Sequence, residues 1–85
     1  MARSASTDDY ATVVAAIVEA RKAAGVTQVE LAARISKPQS FISKIERRER
    51  RVDVLEFVTI ARALGLRPAS LLGEIDARLV GEVSL

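Results

Sequence analysis

Cysteine and histidine are both missing from this chain. Without cysteine there is no disulfide framework and no thiolate metal site. Without histidine, the usual catalytic base and the commonest zinc ligand are gone as well. Aromatic residues make up only 4% of the sequence, which argues against a large β-sandwich. No apolar run approaches the roughly 18 residues of a membrane span, and the N-terminal MARSASTDDY has no apolar signal core. A soluble, cytoplasmic protein with no membrane partner is expected. There is no glycine-rich phosphate loop. The eleven carboxylates are scattered over helix starts and polar faces, where capping accounts for them. Nothing singles out a catalytic pair, so neither an enzyme nor a metal or cofactor is expected.

What is present points to one small domain of 85 residues with a modest core. The hydrophobic fraction, 49%, is that of a globular chain. Much of it is alanine, which favours helices. Net charge is only +2, but it is unevenly spread. Residues 34–51 hold Arg34, Lys37, Lys44, Arg47, Arg48, Arg50 and Arg51 against Glu46 and Glu49, a local excess of five positive charges. The rest of the chain carries six basic and nine acidic residues, a deficit of three. Such a patch on an acidic body draws a polyanion to one face. Taken alone, the same run also fits a solvated helix surface.

Helical signals follow one another with short connections. Thr7 can cap a first helix, with Asp8 and Asp9 at its positive end and Val13, Val14, Ile17, Ala20 and Ala24 at helical spacing. Gly25 supplies its stop. Thr27 and Glu30 form a capping box for a short second helix over 28–35, with Leu31, Ala32 and Ile35 inward. Ser36 and Lys37 make a tight connection. Pro38, suited to a first helical position, opens a third helix that runs to about residue 47. Asp53 and Glu56 repeat the capping pattern for a fourth over 54–64, its inward residues Val54, Phe57, Val58, Ala61 and Leu64. Gly65 ends it, and Pro68 opens a fifth anchored by Leu71 and Leu72. The predicted fold is all-α, a compact bundle of about five helices.

Two short helices joined tightly, the second of them basic and polar outside, fit a helix-turn-helix. On the third helix Ile42 and Ile45 face inward, while Gln39, Ser40, Ser43, Lys44 and Arg47 face out. A helix fits the major groove, where base edges show distinct donor and acceptor patterns. Gln39 can pair bidentately with adenine, Ser40 and Ser43 can donate or accept, and Lys44 can reach guanine acceptors.

The stretch VTQVELAARISKPQSFISKIERRERRVDVLEFVTIARALGL resembles the phage-repressor and Cro type of helix-turn-helix, the XRE family. The resemblance covers about residues 13–72 and implies a lambda-repressor-like DNA-binding domain. It implies that Gln39, Ser40 and Lys44 face base edges, with Ser43 near a base or phosphate. It implies that Thr27, Gln28 and Lys37 touch phosphates and that Arg47, Arg48, Arg50 and Arg51 hold the backbone just past the third helix. An ion pair between Arg21 and Glu46 would orient that helix. Phe41 sits where the family varies, and both a thymine methyl contact and packing against the second helix are open to it. Three departures stand out. Ser36 and Arg48 occupy positions where the family pattern has glycine, so either Arg48 is strained or the helix runs on before turning. Pro38 replaces the usual serine cap.

The expected organisation is a flexible arm over 1–6, the DNA-binding domain over 7–73, and an extension over 74–85. Leu55, Ile75, Leu79, Val80 and Val83 are candidates for a dimer interface, the alternative being packing on their own domain. The tail is expected to form a further helix or a short strand. The expected protein is a homodimer on double-stranded DNA. It reads a palindromic operator with third helices in successive major grooves, about 34 Å apart. The alternative is an antitoxin with a small toxin partner, or a restriction–modification controller, on the same fold.

Overall fold

The computed structural model describes residues 8–85. The expected arm over 1–6 and the Thr7 cap lie outside the described residues. Five helices follow in chain order: α1 (Asp8–Ala23), α2 (Gln28–Arg34), α3 (Gln39–Glu46), α4 (Val54–Ala63) and α5 (Pro68–Arg78). There is no strand among the described residues. The fold is all-α.

Each start has a local cause. Asp8 and Asp9 face the positive pole of α1, and Arg21 and Lys22 its negative pole. Both expected capping boxes form. The Thr27 N–H donates to Glu30 Oε1 at 2.8 Å and the Glu30 N–H to Thr27 Oγ1 at 3.0 Å. Asp53 and Glu56 make the same exchange at 3.0 and 2.8 Å. Pro68 stands in the first turn of α5 as expected. Pro38 does not do so in α3. It is the extended residue before the helix (φ −71°, ψ 157°), and the helix begins one residue later, with no side-chain cap.

One turn closes four of the five helices. At residues 25, 36, 48 and 65 the backbone enters the left-handed region, with φ of 71°, 57°, 62° and 76°. The N–H of each of these residues returns to the carbonyl three back: Gly25 to Lys22, Ser36 to Ala33, Arg48 to Ile45 and Gly65 to Arg62. The following N–H reaches five back: Val26 to Arg21, Lys37 to Ala32, Glu49 to Lys44 and Leu66 to Ala61. This paired pattern satisfies carbonyls that the helix end leaves bare. Gly25 and Gly65 suit it. Ser36 and Arg48 carry a Cβ into a conformation that costs an L-residue about 1–2 kcal/mol. Of the two alternatives for Arg48, the strained turn is the one realised.

The core forms where the helices cross. Ile17, Val26, Leu31, Ala32, Ile42, Ile45, Ile60 and Leu64 make one buried cluster. Ala16, Ala61, Leu71 and Ile75 make a second beside it, against which Leu79 packs. Some expected inward residues do not belong to either. Val54 is 78% exposed, because it shares a stripe with Ala61 but sits at the overhanging first turn of α4, where no element covers it. Ile60 takes the central place on that helix. Leu72, 100° around the axis from buried Leu71, is 56% exposed. Ala24, just past the end of α1, is exposed. Val26 is buried without any helical period to announce it.

The C-terminal segment corrects two expectations. Beyond Arg78 there is neither a further helix nor a strand. The chain runs back to the start of α1, where the Ser84 N–H donates to Asp9 Oδ2 at 2.7 Å. Ile75 belongs to α5 and is 3% exposed inside the second cluster, so it packs chiefly on its own domain. Val80 (82%) and Val83 (48%) stay exposed.

Relief of the left-handed turn is measurable. Ser36→Gly should raise Tm by roughly 2–6 °C in a thermal circular-dichroism scan, since one left-handed Cβ is worth about 1 kcal/mol in a domain this small. A lower Tm would mean that the Ser36 side chain contributes more than its backbone costs.

Candidate nucleic-acid interface

α2 and α3 meet across the Ser36 turn, with Leu31 and Ala32 facing Ile42 and Ile45 in the core. This pins the inner side of α3 and leaves its outer side to solvent. Gln39, Ser40 and Lys44 are exposed, and Ser43 and Phe41 are half-buried. Ser43 Oγ is turned to the Ser40 carbonyl at 3.3 Å.

Behind this face lies a chain of hydrogen bonds through three helices. Arg21 of α1 holds Glu46 of α3 with two bonds, Nε to Oε2 at 2.6 Å and Nη2 to Oε1 at 3.0 Å. The two side chains are only 10% and 8% exposed. The third limb of Arg21, Nη1, donates to the Val26 carbonyl at 2.8 Å. Gln28 Nε2 donates to Glu46 Oε1 at 2.8 Å, and Gln39 Nε2 donates to Gln28 Oε1 at 3.3 Å. The direction of this chain follows from chemistry. A carboxylate only accepts, so Gln28 must turn its NH2 to Glu46. Its carbonyl then faces Gln39 and demands a donor. Gln39 supplies one N–H and keeps its second N–H and its Oε1 for a ligand. That remaining pair is what adenine N7 and N6 require in the major groove. The expected Arg21–Glu46 contact thus exists, and through Gln28 it also sets the sense in which the Gln39 amide is held.

The other expected residues separate into two groups. Thr27 and Lys37 flank the face and are exposed. Thr27 Oγ1 accepts from the Glu30 N–H, which leaves its hydroxyl hydrogen available to a phosphate. Lys44 and Arg48 are exposed, and neither side chain forms an ion pair among the described residues. The other arginines are engaged. Arg47 clasps Glu49 at 2.8 and 3.2 Å. Arg50 pairs with Glu56 at 3.0 Å and lies 4.6 Å over the Phe41 ring, which also carries Lys37 at 5.4 Å. Arg51 stacks over Tyr10 at 4.6 Å and donates to the Leu85 carbonyl at 3.4 Å. Arg34, part of the basic count, turns away altogether and donates to the Ala63 carbonyl at the end of α4, at 2.8 Å.

Tyr10 is the residue supporting the loop after α3 that sequence reasoning missed. Its hydroxyl accepts from the Val52 N–H at 3.1 Å and donates to the Arg50 carbonyl at 3.4 Å, so α1 fastens the loop between α3 and α4. Its rarity in the chain was the available signal: it is the one tyrosine, and it is 7% exposed. Phe41 proves to be half core, half platform. It packs against the first cluster and offers its ring to two cations. No grouping of acidic residues able to hold a metal occurs among the described residues. No helix is long and apolar enough to cross a membrane among them either.

A tight two-helix unit with its second helix walled inside and polar outside defines a helix-turn-helix domain. The comparisons agree. The family model described as helix-turn-helix, of the HTH_3 type, matches residues 17–71. An XRE-family like protein from Pseudomonas syringae pv. tomato str. DC3000 is 47% identical. The match covers 85% of this chain and 88% of that one, with a TM-score of 0.79. Two structures of the clp gene regulator ClgR from Corynebacterium glutamicum are also similar. One is 29% identical over 78% of this chain and 70% of that one, with a TM-score of 0.70. The other is 27% identical over 84% and 92%, with a TM-score of 0.73. Among curated proteins none matches. The chain belongs to the XRE family of helix-turn-helix proteins, a class of DNA-binding transcription regulators rather than enzymes.

Two predictions follow from the charges. The Arg47 hydrogen bond holds the Glu49 carboxyl below the usual carboxylate range, the Arg50 bond does the same for Glu56, and the backbone of Thr27 for Glu30. A folded value below the unfolded one means that these groups stabilise the fold above about pH 4.5, and that the contribution is lost as pH falls through their folded values. With no histidine, the urea midpoint should stay flat from about pH 8 to 5.5 and fall below about pH 4.5. A step near pH 6.5 would contradict this. Arg21→Ala leaves Glu46 buried and unpaired, and should cost about 3 kcal/mol in urea unfolding, with Arg21→Met/Glu46→Leu recovering most of it. An unshifted Arg21→Ala midpoint would mean that the pair contributes nothing to the fold.

Proposed function

We propose that the protein is a sequence-specific regulator of transcription. It binds duplex DNA as a homodimer, with α3 of each subunit in the major groove of one half of a palindromic operator. The observation that carries this is the relay from Arg21 to Gln39. A buried ion pair and two amides are spent on fixing the polarity of one exposed side chain. A merely solvated glutamine needs no such support. Gln39, Ser40, Ser43 and Lys44 read base edges. Thr27, Gln28, Lys37 and the basic loop contact phosphates, which set register while bases set sequence. The likeness to a clp gene regulator supports a role in gene control. Such work belongs in the cytoplasm.

The dimer surface fits the exposed apolar residues at one end of the bundle. Val54 and Leu72 line a shared apolar depression of about 200 Å³ with Val13, Val52 and Phe57. On its other side Leu72 borders a second depression with Ala69 and half-buried Leu79. Val80 and Val83 lie beyond in the tail, so residues 74–85 contribute its margin. Leu55 stands apart, lining a separate cavity with Phe41, Lys37 and Thr59 beside the reading face. The same apolar end would seat a small protein partner, as an antitoxin requires, and complex mass separates the two.

Selection of bound duplexes from random DNA, with the mass of the complex measured alongside, tests the proposal. The expected product is a two-fold symmetric site carrying two copies of the chain. Recovery of no common motif would sink sequence-specific reading. Gln39→Ala should lose roughly 1–3 kcal/mol on the selected site and much less on random DNA. Equal losses on both would remove Gln39 from the reading head.

A further inference from the structure

The loop after α3 carries four arginines, and the structure treats one of them differently. Arg47 is held by Glu49, Arg50 by Glu56 and the Phe41 ring, and Arg51 by the Tyr10 ring. Arg48 is exposed, and its side chain makes no hydrogen bond, ion pair or ring contact among the described residues. It also has the least comfortable backbone of the four, at φ 62°. The turn cannot relax by extending the helix, because the Arg48 N–H is bound to the Ile45 carbonyl at 3.0 Å and the Glu49 N–H to the Lys44 carbonyl at 2.8 Å. Two of the other three such turns use glycine, which enters this region without strain. Nothing in the fold repays Arg48 for its conformation except weak attraction to the negative end of α3. Ser36 bears similar strain under a short neutral side chain, whereas at Arg48 the strained residue carries an unengaged guanidinium, and strain kept at such a residue points to function.

We infer that Arg48 is the phosphate-binding arginine of this loop, retained for DNA and against fold stability, while Arg47, Arg50 and Arg51 chiefly shape and hold the loop that presents it. This rests on the DNA-binding reading. Arg48 lies just past the end of α3, two residues beyond Glu46 and next to the turn that carries Lys44. As Lys44 reaches into a groove, Arg48 meets the sugar-phosphate wall at its edge. Its left-handed backbone turns the chain off the helix, and its side chain takes no part in the Arg47–Glu49 pair. A guanidinium there can bind two phosphate oxygens at once. The rival explanation is that Arg48 serves only the helix dipole. The two differ in the sign of a stability change.

The test uses the whole chain as wild type, Arg48→Gly, Arg48→Lys and Ser36→Gly. Each is scanned for Tm and titrated with a random-sequence duplex at several salt concentrations. Arg48→Gly should raise Tm by roughly 2–6 °C. It should also weaken binding several-fold and shrink the slope of log K against log salt by about 0.9, the value of one phosphate contact. Arg48→Lys should keep the wild-type slope and Tm. Ser36→Gly should raise Tm with binding unchanged, which shows that relief of the turn does not itself weaken binding. Wild-type affinity and slope in Arg48→Gly would overturn the inference. So would a lowered Tm in that variant, which would assign Arg48 to the helix dipole. Failure of the wild type to bind duplex at any salt concentration would instead remove the DNA-binding reading itself, and this inference with it.

Discussion

The bond between Arg21 and Glu46 is the interaction on which the rest of this structure depends. It joins the first helix to the third inside a chain with only a modest core, and it does so where the two side chains are nearly sealed from water. Burying two charges is costly, and such pairs often stabilise a fold less than well-packed hydrocarbon would. What the pair contributes is definition. Five hydrogen bonds run along one line, from the Val26 carbonyl to the amide of Gln39. No buried side-chain polar atom is left without a partner among the described residues. A fully satisfied polar network of this kind specifies one arrangement where an apolar contact would admit several.

The basic patch shows a similar economy of placement. Counted in the sequence, residues 34–51 hold seven cations. In three dimensions those cations serve different masters. Arg34 closes the end of α4, Arg50 and Arg51 lie on aromatic rings, and Arg47 answers Glu49. Only part of the positive charge is left unpaired to face a polyanion. Charge density in a sequence overstates the charge that a surface offers, because arginine is also the side chain best suited to bridging helix ends, rings and carboxylates.

Much of the fold was legible because its signals are local. The Thr27–Glu30 and Asp53–Glu56 boxes, the glycines at 25 and 65, and Pro68 each act within a few residues, and each marks an element boundary seen in the structure. Failures came where a residue's fate depends on what lies across from it. Val54 obeys the period of α4 yet projects past the end of the core. Ile75 falls within the expected extension over 74–85, but α5 continues through it and buries it. Val26 lies between helices, where no period operates, and Tyr10 reaches a loop 40 residues away. On the outer side of α3, the exposure of Gln39, Ser40 and Lys44 was legible from the helical period alone. The sense in which Gln39 is held was not, because it is decided by Glu46 through Gln28, and no periodicity carries that information.

This dependence has an evolutionary corollary. A chain of donors and acceptors has a direction, and it can be reversed only as a whole. Exchanging Gln39 by itself alters what is displayed but leaves an acceptor waiting at Gln28, so many single replacements there begin with an orphaned partner. Under the proposed reading, new base preferences are therefore easier to reach at Ser40 or Lys44, which stand outside the relay. Drift of target sequence in such a protein should run along the far side of α3 while the glutamine end stays put.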